Sequence, residues 1–191
     1  YYSYLRRQLK ELPIIANGEK VKYVHSIKQP NDTTLWVSSV GEGIVKVIFD
    51  ASTATPTVKS ASRTVIDNGR MASNYFFTSY QENDSILWFG NRGCGAYRMN
   101  VETGEMIPHR FDSIVSSQTA NDICAIYKNA KGYWLGTSSG LLHLEQDDSL
   151  YTKADLFLNN TVHGVLEDHQ GDLWLSTNQG LIRFNPETRT G

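Results

Sequence analysis

The chain has 191 residues, 40% of them apolar and 20% charged, with a formal net charge of −2. That is enough apolar material for a sizeable core, and the near-neutral balance leaves no electrostatic footprint for nucleic acid. No run of 18 apolar residues occurs, so no segment reads as a membrane-spanning helix.

Residues 1–20 stand apart from the rest of the chain. The chain starts at Tyr1 without methionine or a signal peptide, which reads as a piece of a longer polypeptide. Tyr1-Tyr2-Ser3-Tyr4 has the composition of an outer strand from a preceding unit. Leu5, Leu9 and Leu12 fall at i, i+4 and i+7 with basic residues between them, which predicts a short connecting helix stopped by Pro13. Asn17-Gly18 then makes a tight turn.

From residue 21 onward the chain repeats itself. Trp36, Trp88, Trp134 and Trp174 each sit in a short apolar run, 52, 46 and 40 residues apart, and they are all the tryptophans present. A glycine follows six or seven residues later at Gly43, Gly95, Gly140 and Gly180, and then two apolar residues and a basic one, Lys46, Arg98, His143 or Arg183. Upstream of each Trp lies another apolar stretch ending in a polar turn, such as Gln81-Glu82-Asn83-Asp84 or Glu167-Asp168-His169-Gln170-Gly171. Self-similarity at this period means a solenoid, propeller or array. The runs are short, rich in β-branched and aromatic residues and bounded by Gly/Asn/Asp turns, so the unit is strand. Strands apolar on both faces are covered on both sides. About four of them per repeat, stacked on their neighbours, make a propeller blade.

The expected fold is therefore all-β, a β-propeller fragment of about four blades. The blades span 21–68, 69–117, 118–158 and 159–191. Met106–Phe111 and Leu150–Lys153 serve as outer strands, and the last blade lacks one. Asn100-Val101-Glu102-Thr103-Gly104 and Asn185-Pro186-Glu187-Thr188 are equivalent turns.

Val165 to Pro186, and more loosely Tyr133 to Leu142, resemble the two-component regulator propeller repeat. The first two repeats depart from it, with Asn-Asp turns and a Gly-Glu-Gly or Gly-Cys-Gly before the third strand. The resemblance covers about residues 21–191. In that family such repeats build the periplasmic sensor region of hybrid histidine kinase/response regulators. The resemblance thus implies oligosaccharide sensing in the periplasm, with the kinase and DNA-binding parts and any membrane anchor lying in other parts of the parent chain.

The conspicuous side chains first take structural roles. The four tryptophans are blade packing, and the basic column is expected to lay its stems along the next blade. The five histidines show no H-x-x-x-H or H-E-x-x-H spacing, so neither metal nor cofactor is expected. No G-x-S-x-G, P-loop or paired catalytic carboxylates can be argued, so no enzyme activity is assigned. Cys94 and Cys124 fix no redox framework, and whether they pair stays open.

A binding surface remains. The loops between second and third strands and the lead-ins to inner strands share one end of a propeller, where rigidly held loops carry function. The first group supplies Glu42, Asn91, Arg92, Ser139, Asn178 and Gln179. The second supplies Asn74, Tyr75, Asn121, Asp122 and His163. Their amide, guanidinium, carboxylate and aromatic groups suit hydroxyl-rich ligands. The open ends of a four-blade array also predict self-association into a dimer.

Overall fold

Short runs of β-branched, aromatic and leucine residues, each cut by an Asx or glycine turn, close into antiparallel hairpins. The computed structural model describes residues 2–3, 7–9, 11–50, 52, 56–65, 74–111, 118–147, 150–157 and 159–191. The strands are β1 (Tyr2–Ser3), β2 (Gln8–Leu9), β3 (Ile15–Ala16), β4 (Glu19–Lys20), β5 (Val24–Asn31), β6 (Thr34–Ser39), β7 (Ile44–Asp50) and β8 (Thr57–Thr64). After them come β9 (Phe76–Gln81), β10 (Ile86–Asn91), β11 (Gly95–Asn100), β12 (Met106–His109), β13 (Ile123–Asn129), β14 (Gly132–Thr137), β15 (Gly140–Asp147) and β16 (Leu150–Phe157). The last are β17 (Val162–Glu167), β18 (Leu173–Thr177) and β19 (Gly180–Phe184). A single 3-10 turn, Gln118–Asn121, precedes β13 among the described residues.

Sheet order follows chain order. The blades are β5-β6-β7-β8, β9-β10-β11-β12, β13-β14-β15-β16 and a three-stranded β17-β18-β19. The propeller expectation therefore holds, with three strands in the last blade among the described residues. The turns form as their sequences require. Asn100 Oδ1 accepts from the N–H groups of Glu102 and Thr103, and Asn185 Oδ1 accepts from those of Glu187 and Thr188.

The N-terminal segment differs from expectation. Gln8–Leu9 is strand, paired with Tyr2–Ser3, and Leu9 is 84% exposed, so the leucine spacing is not a buried helical stripe here. Leu5 and Arg6 lie outside the described residues. Asn17 and Gly18 both have positive φ, the geometry of a two-residue hairpin turn, and they join β3 to β4. This hairpin places Ala16 and Val21 against Val37, Val45 and Val47, so it covers the open face of the first blade.

The core lies between blades. Trp36 packs with Phe76 and Phe89 of the second blade, Trp88 with Tyr133 and Leu135 of the third, and Trp134 with Leu173 and Phe184 of the fourth. Each tryptophan thus wedges between its own blade and the next. Trp174, in the fourth of these blades, is only partly buried.

The basic column is placed by register. Each of its residues sits directly across the strand from its own blade's tryptophan. The pairs are Trp36↔Lys46, Trp88↔Arg98, Trp134↔His143 and Trp174↔Arg183. Register decides this, because facing residues of adjacent strands project from one face. The His143 ring stacks on Trp134 at 3.9 Å, and the Lys46 and Arg183 cations lie 5.3 and 5.8 Å from their indoles.

Behind each pair stands an acceptor for the indole N–H. Trp88 donates to Glu82 at 2.7 Å, Trp134 to Asn129 at 3.1 Å and Trp174 to Asp168 at 2.9 Å. In the first blade the residue six before the tryptophan is Pro30, where the second and fourth have Glu82 and Asp168. Trp36 Nε1 is buried without a hydrogen bond among the described residues.

The recurrent glycine starts the third strand under the outer strand's backbone. A Cβ on Gly95 (φ +84°) would stand 2.1 Å from His109 O, and one on Gly43 (φ +80°) would stand 2.3 Å from Thr64 O. At Gly180, on the edge strand of the three-stranded blade, a Cβ would meet nothing within 4 Å.

Candidate functional site

The inner strands β5, β9, β13 and β17 stand side by side around the propeller axis, and each carries the same irregularity. Register shifts between Val24 and Ser26 opposite Ser39 and Ser38. It shifts likewise between Phe76 and Thr78, between Ile123 and Ala125, and between Val162 and Gly164. One extra residue is thereby extruded from each ladder: His25, Phe77, Cys124 and His163. A β-bulge re-aims a side chain, and here all four reach one cleft of about 430 Å³. Arg92, Asp122, Ser138 and Thr161 complete its wall.

The sequence explains the bulge. Each inner strand opens with the triplet apolar, variable, small: Val24-His25-Ser26, Phe76-Phe77-Thr78, Ile123-Cys124-Ala125 and Val162-His163-Gly164. The first apolar residue is buried in three of the four blades. The small third residue pairs with another small one, as in Thr78↔Gly90 and Ala125↔Gly136, where the next blade comes close. A Cβ on Gly136 would stand 2.6 Å from Val162 O. The middle residue has no ladder partner and is free to face the axis.

The turns and lead-ins do share one end. Gly41 and Gly43 donate their N–H groups to Asn74 O, Arg92 N–H donates to Tyr75 O, Ser138 N–H to Asp122 O and Asn178 N–H to Thr161 O. Of the eleven residues expected on this surface, Arg92, Asp122 and His163 line the cleft. The others are placed otherwise. Asn91 and Asn121 are buried, and Asn121 Oδ1 accepts the Phe111 N–H at 2.8 Å, so these amides belong to blade packing. Glu42 accepts from Arg63 at 3.2 Å at the side of the first blade. Asn74 and Tyr75 contribute backbone carbonyls to the turns, while the Ser139 hydroxyl is hydrogen bonded to that of Thr119. Asn178 Oδ1 lies 2.6 Å from His163 Nε2 and orients that ring, and Gln179 sits exposed at the turn tip with its N–H on Thr137's counterpart, Thr177 Oγ1.

Five lining residues escaped the loop-based reading: His25, Phe77, Cys124, Ser138 and Thr161. The first three are bulge residues inside strands, and the apolar, variable, small triplet was the signal for them.

Electrostatically the cleft is mixed. The guanidinium of Arg92 and the carboxylate of Asp122 make no side-chain hydrogen bond or ion pair among the described residues. Burial pushes the Cys124 thiol up, and Asp122 and Arg92 act on it with opposite signs, which puts both charges near the sulfur. His25 meets Phe77 edge-on, with ring centroids 5.3 Å apart. Cys94 and Cys124 form no disulfide with each other, and Cys94 lies in the core between the first two blades. Among the described residues no group of three His, Cys, Asp or Glu side chains is placed to hold a metal, and no helix is long and apolar enough to cross a membrane.

A second cavity, of about 310 Å³, opens at the opposite end beside Lys128 and Lys131. Both ammonium groups are committed, to Glu82 at 2.7 Å and to Glu187. Of these two cavities the axial cleft, whose charged groups are uncommitted among the described residues, is the candidate site.

Residues 157–179 match the family described as two component regulator propeller. Histidine kinase P4 of Formosa agariphila is 29% identical over 235 aligned residues, covering 92% of this chain and 17% of its own length. Two extracellular domains of hybrid two component systems from B. thetaiotaomicron share the fold, with TM-scores of 0.69 and 0.73 at 18% identity. They cover 100% and 98% of this chain, and 25% and 26% of their own. The WD40 propeller domain of Doa1 superposes with a TM-score of 0.62 at 10% identity over 88% of this chain and 53% of its own. The chain thus spans about a quarter or less of the histidine kinase and the two extracellular domains it matches. Residues 157–179 carry the two-component regulator propeller repeat, within a chain folded as a run of propeller blades like those in the extracellular domains of hybrid two component systems.

Proposed function

We propose that this segment is part of the periplasmic sensor of a hybrid two-component histidine kinase and that the signal it receives is an oligosaccharide. The observation that supports the reading most is the axial cleft. Four blades each deliver one bulge residue to a single concavity bearing donors, acceptors and an aromatic ring, the mixture a hydroxyl-rich ligand needs. The matched histidine kinase and two component systems support the signalling class, and the cleft's mixed donors and acceptors support a hydroxyl-rich ligand. No catalytic step is assigned to this segment.

A second reading, an interaction module that holds a dimer, draws on the far face of the fourth blade. Leu166, Trp174 and Arg183 face one another across that sheet, and Leu166 and Leu181 are each 67% exposed.

Thermal shift and titration calorimetry against an oligosaccharide panel separate the two. A ligand at 100 times its Kd adds about 2.7 kcal/mol to stability. A rise in Tm with one class of glycan supports sensing. A chain that dimerises and answers no member of the panel supports the interaction module.

A further inference from the structure

The cleft says more about its ligand than that it is a sugar. Arg92 offers only donors and Asp122 only acceptors, each without a side-chain partner among the described residues. They come from adjacent blades, Arg92 from the β10–β11 turn and Asp122 from the lead-in to β13. Their formal charges cancel, so the cleft has no fixed surplus to attract an anion. A carboxylate or sulfate ester meeting Arg92 would also meet Asp122. A hydroxyl suits this pair better, because it accepts from the guanidinium and donates to the carboxylate without burying net charge. Phe77 gives the wall an apolar ring, and His163, held by Asn178, gives one further polar contact.

Resting on the oligosaccharide reading, we infer that the axial cleft binds a neutral sugar ring through adjacent hydroxyls, with Arg92 as hydroxyl donor, Asp122 as hydroxyl acceptor and Phe77 as the ring platform. Acidic and sulfated sugars are selected against. The bulge residues His25, Phe77, Cys124 and His163 set which ring fits.

The test uses the whole chain and a panel of named probes. The neutral members are oligosaccharides of xylose, mannose, galactose, glucose and arabinose, and the acidic members are oligogalacturonides and sulfated galactose oligosaccharides. The expected result is a Tm rise with a neutral member alone. Asp122→Asn and Arg92→Ala should each weaken its binding at least tenfold, with the Tm of the free protein unchanged. Phe77→Leu should weaken it too. Binding by acidic members and no neutral one would overturn this inference and leave sugar sensing standing. Neutral binding that survives both charge substitutions would overturn the cleft as its location, again leaving sugar sensing intact. Silence across the whole panel would overturn both readings.

Discussion

Glu82 offers the sharpest test of how neighbouring blades are joined. Its carboxylate lies at the end of β9, with its side chain 12% exposed, and accepts from Trp88 Nε1 and Lys128 Nζ, each at 2.7 Å. Lys128 belongs to the next blade, so the carboxylate ties the tryptophan of one blade to the inner strand of another. Burial pushes this carboxyl up, but hydrogen bonds from Lys128, Trp88 and Tyr133 outweigh it and hold the group below its ordinary value. Glu82→Ala removes an acceptor from a buried indole N–H and strips the counter-charge from Lys128. Hydrogen bonds to charged groups contribute about 1.5–3 kcal/mol each, and Lys128 recovers part of that by turning to water. We expect a loss of about 2–4 kcal/mol, or roughly 5–12 °C in Tm for a domain of this size. Glu82→Gln keeps a carbonyl for Trp88 and should cost about 1–2 kcal/mol.

The sign of the pH effect follows from the lowered value. A carboxyl held below its unfolded value of 4.5 stabilises the fold above about that pH and loses this contribution as pH falls through the folded value. Glu82→Gln should therefore narrow its deficit against the native chain as pH drops from neutral toward and below that window. Urea unfolding followed by tryptophan fluorescence at several pH values measures both quantities. A Glu82→Ala protein within about 0.5 kcal/mol of native stability, or a Gln variant whose deficit does not change with pH, would refute the role of Glu82 as an inter-blade tie.

Trp134 is 1% exposed, stacked on His143 and packed on Phe184, so Trp134→Ala should cost about 3–5 kcal/mol or prevent folding, as read by chemical denaturation. Pro30→Glu supplies the first blade with the acceptor its tryptophan lacks, near the Lys46 cation. It should add up to about 1 kcal/mol, and a lower Tm would show that Pro30 matters more for the strand's bend than for the vacant acceptor position. The exposed face around Leu166 and Leu181 predicts concentration-dependent dimerisation in static light scattering, weakened by Leu181→Glu; a monomer at high concentration would contradict it.

Much of this fold was legible because the repeat ties local chemistry to blade position. The tryptophan, the glycine and the Asx turns each answer a local demand, such as a carbonyl 2.1 Å from where the Cβ of residue 95 would stand. The targets of the basic column were less legible. Whether Arg183 reaches its own indole or a neighbouring blade depends on register, and composition does not encode register. The hairpin at Ile15–Lys20 was signalled by Asn17-Gly18, but the leucines before it carried a helical spacing that Gln8–Leu9 does not adopt. The site was only partly visible. Loop residues such as Asn91 look like ligand contacts until packing buries them, and a bulge hides half of the cleft within strands.

That bulge explains how one repeat can hold a fixed fold and a changeable site within a few residues. In β13, Ile123 and Ala125 keep ladder partners and face neighbouring blades, so their sizes are set by packing. Cys124 between them has no ladder partner and faces the axis. Its replacement costs little in pairing energy, whereas replacing Ile123 leaves a cavity. The same division recurs at His25, Phe77 and His163, so four side chains around one cleft can vary while the layer of tryptophan, acceptor and cation stays intact. The positions best suited to selecting a ligand are thus the ones the blades need least for stability.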